Sequence, residues 1–192
     1  SYTLRFAAST QANSNVFSSI SHVIEVTPGV ADQLSVKAGH PTSARANMAL
    51  SPQPEISILD SAQNLVSSSA GVINISVQGA QHAGQTSLAA TSGVAAFTNV
   101  KLAGSASSVV TLSYALQGTD ISTSKTLTLA AGAAVKFDLD WTAANIQTRA
   151  AINPAPKLIL RDADGNVVLS DASTQGVAKL MRYGSVVTES DL

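Results

Sequence analysis

A repeat with a period of about 102 residues is the feature that most constrains this chain. Residues 54–66 (PEISILDSAQNLV) recur as residues 156–168 (PKLILRDADGNVV). Residues 29–36 return as residues 132–139, and residues 2–7 are echoed by residues 110–115. Recurrence at a fixed period indicates an array of similar structural units, so the fold belongs to the repeating unit rather than to the chain as a whole.

The composition favours β-structure. Charged residues make up 12% of the 192 residues and apolar residues 45%, whereas soluble domains carry roughly 25% charged residues. Abundant Ser, Thr, Ala and Val suit half-buried strands joined by polar turns. The apolar share is high enough to bury a core, which excludes a disordered chain.

Charge and hydropathy exclude several classes of partner. The net charge is −1 and the basic residues are scattered, so there is no basic face for nucleic acid. No apolar run reaches the roughly 18–20 residues of a spanning helix, which argues against direct membrane insertion. The absence of cysteine excludes disulfides and thiolate metal sites. The first residues lack the features of a signal peptide, but an internal window of a secreted chain would lack them too, so this does not count against export.

Apolar and polar residues alternate with a period of two along most of the chain, which predicts strands with one buried face. Turn residues interrupt the pattern every 8–14 residues, as in an all-β sandwich. In the complete unit the predicted strands lie near residues 32–37, 44–50, 54–60, 71–78, 86–90, 94–102, 108–115 and 124–130. The segment 143–151 is predicted to be a loop or short turn.

The strand predicted at residues 94–102 contains a change of parity. Phe97 is odd-numbered, whereas Val100 and Leu102 are even-numbered. If all three side chains point inward, a bulge or a corner between sheets must lie between them.

Unit boundaries are predicted near Gly29 and Gly132, each directly after a strand. Such short connections imply restricted hinges, and therefore an extended, semi-rigid array.

Four motifs carry a family resemblance. They are Asp-x-x-x-Asn-x-Val at residues 60–66 and 162–168, Gly-Val-Ala-Ala-Phe at 93–97 with Val-Lys-Leu at 100–102, the strand form aromatic-Thr-Leu-x-aromatic, and a Gly-Ala/Val-Ala-x-x-Leu unit opening. Over nearly its whole length the chain resembles the bacterial immunoglobulin-like repeats of large surface proteins and adhesins, the group that includes invasin and intimin. Similar repeats also occur in surface glycoproteins of some algae.

The resemblance implies an all-β fold of tandem immunoglobulin-like Greek-key β-sandwiches. Residues 1–28 would be the C-terminal strands of a preceding unit, residues 29–131 a complete sandwich, and residues 132–192 the N-terminal part of a following unit. It also implies an extracellular or cell-surface location, and it carries no catalytic residue.

The two partial units would expose apolar faces and strand edges, which require partners. We expect Tyr2, Leu4, Phe6, Ile24 and Val26 to be exposed in the first of them. Adjacent like repeats of the same chain are the expected partners. Neighbouring copies, through strand complementation or lateral contacts, are the lesser alternative.

The segment Asp162-Ala-Asp-Gly-Asn166 resembles the start of a calcium loop, so Asp162, Asp164 and Asn166 are calcium candidates. The alternative is turn chemistry, since Asp-Gly is a favoured turn pair. The repeat favours the turn, because Ala62 stands where Asp164 stands in the other copy. A second calcium candidate uses Asp32, or Asp138 with Asp140. No other cofactor is expected.

The remaining candidates are single residues. His22, His40 and His82 are far apart and are interpreted as loop histidines rather than zinc or catalytic groups. Trp141 is predicted to pack between units, with stacking on a sugar ring as the alternative. Asn74 opens an Asn-x-Ser glycosylation sequon on the outward face of a predicted strand.

The sequence therefore favours a non-enzymatic structural or adhesive repeat module of an extracellular surface protein or filament, acting as spacer and assembly unit. One alternative is a module binding glycan or protein through loops 38–43, 79–85 and 104–107. These loops are poor in the Tyr, Trp and Asn of typical binding loops. The other is an accessory domain of a secreted enzyme.

Overall fold

The computed structural model describes residues 2–10, 13–142, 152–171, 174, 181–182 and 185–186. In these residues the protein is all-β, with several sheets and no helix, as the alternating pattern predicts. The strands are β1 (Tyr2–Thr10), β2 (Asn13–Ile24), β3 (Gln33–Val36), β4 (Ser43–Arg45), β5 (Glu55–Leu59), β6 (Val72–Gln78), β7 (Gln81–His82), β8 (Ser87–Ala89), β9 (Val94–Ala96), β10 (Leu102–Ala103), β11 (Val109–Leu116), β12 (Ser122–Ala130), β13 (Lys136–Asp140), β14 (Lys157–Arg161), β15 (Met181–Arg182) and β16 (Ser185–Val186).

The larger sheet has five strands in the order β4-β12-β11-β6-β8. Strand β11 pairs antiparallel with β12 and β6, whereas the short β4 runs parallel to β12. Along β11 the even-numbered residues Val110, Leu112 and Tyr114 are buried and their neighbours are partly exposed. The predicted alternation of this strand is confirmed.

The smaller sheet has the order β3-β5-β9 and covers the apolar face of the larger one. Ile56 and Ile58 of β5 are fully buried, in the same apolar cluster as Leu112 and Leu129 of the larger sheet. Two sheets with a shared core form the layered arrangement of a β-sandwich. We call this part of the protein, residues 33–130, the central sandwich.

The segment predicted as one strand at 94–102 is two short strands, β9 and β10, in different sheets. Phe97, Val100 and Leu102 are all buried. The change of parity thus marks a place where the chain leaves one sheet for another.

Two other strand predictions were wrong in extent. The strand predicted at 44–50 is limited to β4, because a turn follows it and only Ala49 forms an isolated bridge, to Lys101. The region 79–85, predicted as a loop, contains β7, which pairs with β10. Both strands are too short for alternation to define.

The strands outside the central sandwich form two-stranded ribbons, β1 with β2, β13 with β14 and β15 with β16. Among the described residues, no strand ladder crosses residues 29–32 or 131–135. Ile24 and Val26 are exposed as predicted, whereas the side chains of Tyr2, Leu4 and Phe6 lie outside the description. The loop predicted at 143–151 also lies outside the described residues, so it stays a prediction.

Candidate functional site: two carboxylate clamps and a loop socket

The turn after β5 is closed by the side chain of Asp60. Its Oδ1 accepts hydrogen bonds from the backbone N–H groups of Ala62 at 2.9 Å and Asn64 at 2.8 Å. The backbone N–H of Asp60 in turn donates to the carbonyl of Asn64. Short side chains of this kind commonly stabilise turns by bonding their own backbone a few residues on.

The second carboxylate oxygen of Asp60 binds a segment far away in sequence. Oδ2 accepts the backbone N–H of Gly29 at 2.9 Å and the side-chain amide of Asn64 at 3.1 Å. Only 4% of Asp60 is exposed, and these bonds give the buried carboxylate the partners it requires. The turn therefore holds the segment that leads into β3. We call this contact the first carboxylate clamp.

The same arrangement recurs after β14. Asp162 Oδ1 accepts from the backbone of Asp164 at 3.0 Å and Asn166 at 2.8 Å. Its Oδ2 accepts the backbone N–H of Gly132 at 2.8 Å and the side-chain amide of Asn166 at 2.9 Å. Asp162 is 1% exposed. This contact is the second carboxylate clamp, and it holds the segment that leads into β13.

Hydrogen bonding keeps both carboxylates ionised at neutral pH. The pKa of Asp60 is lowered, first by the Gly29 N–H and then by the N–H and amide of Asn64. Burial acts to raise the pKa of Asp162, but the amide of Asn166 and the N–H groups of Gly132 and Asn166 outweigh it, so this pKa is lowered too.

The turn of the second clamp also contacts the central sandwich. Asp164 Oδ2 accepts from the side-chain amide of Asn47 at 2.8 Å and from the backbone N–H of Gly104 at 3.0 Å. Asn166 Oδ1 accepts from the backbone of Ala106 at 2.8 Å, and its amide donates to the Gly104 carbonyl at 2.8 Å. We call Asn47, Gly104 and Ala106 the loop socket.

The connection beside the socket is held by Arg45 and packed closely. The Arg45 guanidinium donates to the carbonyls of Ala131 at 3.2 Å and Gly132 at 3.1 Å. A Cβ added at Gly132 would lie 2.4 Å from the carbonyl oxygen of Ala46. Glycine is therefore required here by the close approach of two backbones.

The predicted calcium candidates are brought together, but their oxygens face N–H donors. Asp162, Asp164 and Asn166 accept the bonds described above, and no group of three or more His, Cys, Asp or Glu suited to a metal ion occurs among the described residues. Turn chemistry accounts for the bonds within residues 162–166, and the remaining oxygens accept from N–H groups of Gly132 and of the loop socket. Calcium binding here stays a prediction.

The second calcium candidate, Asp32 or the pair Asp138 and Asp140, stays a prediction. Asp138 of β13 forms an ion pair with Arg161 of β14, next to the second clamp. Asp140 lies at the end of β13, and Asp32 donates its backbone N–H to Leu59.

His40 is built into one end of the core. In the neutral tautomer that this pairing requires, its Nδ1–H donates to the Pro41 carbonyl at 3.0 Å, and its Nε2 accepts from the hydroxyl of the fully buried Tyr114 at 2.8 Å. Burial lowers the pKa of His40, outweighing the bond to Pro41, and Lys125 lowers it further. Burial also raises the pKa of Tyr114.

The other histidines are separate. His82 of β7 is half-buried, its pKa is lowered by burial, and its Nε2 has no hydrogen-bond partner among the described residues. His22 is exposed in β2.

The structure also shows the positions of Asn74 and Trp141, the predicted glycosylation site and the single tryptophan. Asn74 is exposed in β6, facing outward as predicted, and glycosylation there stays a prediction. The indole N–H of Trp141 donates to the carbonyl of Pro154 at 3.1 Å, so this contact lies within the segment after Gly132. Of the loops considered for ligand binding, 104–107 is engaged by Asp164 and Asn166.

Sequence reasoning treated Asp60 and Asp162 as turn residues and missed the bonds to Gly29 and Gly132. One signal was available, since each glycine recurs together with its aspartate about 30 residues later. The socket had no such signal, because Asn47, Gly104 and Ala106 come from two loops that only the fold brings together.

Comparisons with known proteins do not assign the chain to a family. No family model matches the chain, and no curated protein matches its sequence. Among the described residues, no helix is long and apolar enough to cross a membrane.

Proposed function

We propose that this chain is part of a tandem array of immunoglobulin-like Greek-key β-sandwiches in an extracellular or cell-surface protein, resembling the bacterial repeats of the invasin and intimin group. In this proposal each unit is a non-enzymatic module that acts as spacer and assembly unit. Consecutive modules of the same chain are its main partners.

The single observation that carries this proposal is the junction at Gly132. The second clamp holds the connecting segment, and Asp164 and Asn166 bond the central sandwich on the other side. A contact that spans a connection in this way restrains the two flanking parts, which is what a spacer requires. The recurrence of the clamp at Asp60 and Gly29 supports the same plan at both ends of the central sandwich.

Strand order supports the immunoglobulin-like part of the proposal. In such folds one sheet pairs strands G, F and C, to which the variable type adds C′, and the other contains A, B, E and D. The run β12-β11-β6-β8 matches the order G-F-C-C′, with β4 added at the edge beside β12, and β3-β5-β9 matches A-B-E.

Surface labelling of intact source cells tests the proposed location and class. We expect antibodies raised against this chain to bind unpermeabilised cells, and brief external proteolysis to abolish the signal. An antibody against a cytosolic protein is the control for intact membranes. Binding only after permeabilisation would contradict the proposal.

A further inference from the structure

We propose that the loop socket is a docking surface for an Asp-x-Asp-x-Asn turn of the next module, and that the middle aspartate distinguishes a locked junction from a hinged one. The role of this contact between modules rests on the proposed function. The contact between the socket and residues 164–166 is present in this chain whatever that function is.

The socket and the turn match group by group. Asp164 offers an acceptor to two donors, Asn47 Nδ2 and Gly104 N–H. Asn166 offers an acceptor to the Ala106 N–H and a donor to the Gly104 carbonyl. Two side chains thus form four bonds with two separate loops, and such bonds hold only for one relative orientation of the partners.

The backbone at the socket is held in a defined conformation. Asn47 has φ +61° and Ser107, next to Ala106, has φ +68°, both in the left-handed region that non-glycine residues rarely adopt. Such conformations persist where the surrounding structure fixes them, and they concentrate at functional contacts. The fixing bonds come from the core strands, since Asn47 N–H donates to Leu102 O and Ser107 N–H to Leu129 O, both at 2.7 Å.

The first clamp lacks the locking group. Ala62 stands at the position of Asp164, so the 60–64 turn has no carboxylate to present. The Asn64 amide donates to Asp60. A turn with alanine at the middle position therefore offers a socket one side-chain acceptor fewer than the turn at 162–166 does.

Distances between two spin labels on the full chain test the lock. The chain has no cysteine, so Ser76→Cys in β6 and Lys157→Cys in β14 label one exposed site on each side of the junction. Pulsed electron–electron double resonance should give one narrow distance distribution for the labelled chain without further substitution. Asp164→Ala should at least double the width of this distribution, because the Asn47 amide and the Gly104 N–H lose their acceptor.

Two controls separate the lock from charge and from folding. Asp164→Asn keeps an oxygen acceptor and should stay narrow, as should Asp120→Ala, which removes an exposed carboxylate from the turn between β11 and β12. Asn47→Gly, which retains the left-handed backbone, should broaden the distribution. The double substitution of Asn47→Gly with Asp164→Ala should give a distribution no wider than that of Asp164→Ala alone.

Narrow distributions in both Asp164→Ala and Asn47→Gly would overturn the proposal, as would broadening in Asp164→Asn equal to that in Asp164→Ala. These measurements are made on the isolated chain and do not depend on where it works. Failure of the surface-labelling test would therefore leave their outcome unchanged.

Discussion

At the scale of single residues, Gly29 and Gly132 occupy equivalent places but face different surroundings. Both donate their N–H to a clamp aspartate. Only Gly132 lies against another backbone, at the Ala46 carbonyl. The repeat in the sequence makes the two glycines look alike, whereas among the described residues only Gly132 of the two approaches a neighbouring backbone.

Gly132→Ala should destabilise the segment after the junction by about 1–3 kcal/mol, the usual effect of forcing atoms into a packed site. Trp141, the single tryptophan, lies in that segment and reports its unfolding in urea by fluorescence. Gly29→Ala is the matched control and should change stability by less than about 0.5 kcal/mol. Equal effects of the two substitutions would contradict the assigned close approach.

Gln63 adopts a left-handed conformation, with φ +66°, at the place where the second turn has Gly165 with φ +86°. A residue with a side chain costs roughly 1–2 kcal/mol in this region, a cost that glycine avoids. Glycine loses more chain entropy on folding, which cancels part of that gain. Gln63→Gly should therefore raise the free energy of unfolding by about 0.5–1 kcal/mol. Urea unfolding followed by circular dichroism measures the change. Gly165→Gln, the reverse exchange, should lower stability, and a gain there would refute the explanation.

At the scale of strands, alternation predicts long strands well and short ones poorly. In β11 the even-numbered residues are buried as the pattern requires, and Ile56 and Ile58 of β5 follow the same rule. Strands β4, β7 and β10 have two or three residues each, so no period is visible in them. Of the clamps, the aspartates and their turns were readable from the repeat. Their glycine partners had one signal, the recurrence of each glycine about 30 residues before its aspartate. The socket depends on tertiary contacts that no sequence pattern encodes.

The burial of His40 against Tyr114 of β11 predicts a pH dependence of stability. His40 is neutral in the folded protein because burial lowers its pKa, whereas the unfolded chain takes up a proton near the ordinary value of 6.5. The unfolded state then binds more protons, so stability falls as the pH drops below about 6.5. His82 contributes in the same direction.

Urea unfolding at pH 7.5 and pH 5 measures this loss. His40→Asn should reduce the difference between the two pH values, and adding His82→Asn should reduce it further. A difference unchanged by both substitutions would show that other groups cause it.

At the scale of the whole molecule, the first clamp connects the central sandwich to the segment before it, and the second clamp holds the turn whose Asp164 and Asn166 contact the sandwich from the other side. The lowered pKa of Asp162 means that its contribution is present above the ordinary value of 3.8 and is lost as the pH falls through the folded value. Acid below this value should therefore weaken the second junction, separately from the loss that protonation of His40 and His82 causes in the central sandwich at higher pH.

Trp141 fluorescence and circular dichroism recorded from pH 7 to pH 2 test this assignment. The fluorescence should change as the pH falls below the ordinary carboxyl value of 3.8. Asp162→Asn should remove this step, because the amide presents no titrating group to Gly132. A step that persists unchanged in Asp162→Asn would contradict its assignment to the second clamp.

The parallel pairing of β4 with β12 has a consequence for a chain under tension. Thr128 N–H donates to Thr42 O, and Ala46 N–H donates to Ala130 O, both at 2.9 Å. A pull on the two ends of the central sandwich draws these strands past one another lengthwise. The bonds then bear the load side by side in shear and must rupture together, rather than opening one after another like a zip.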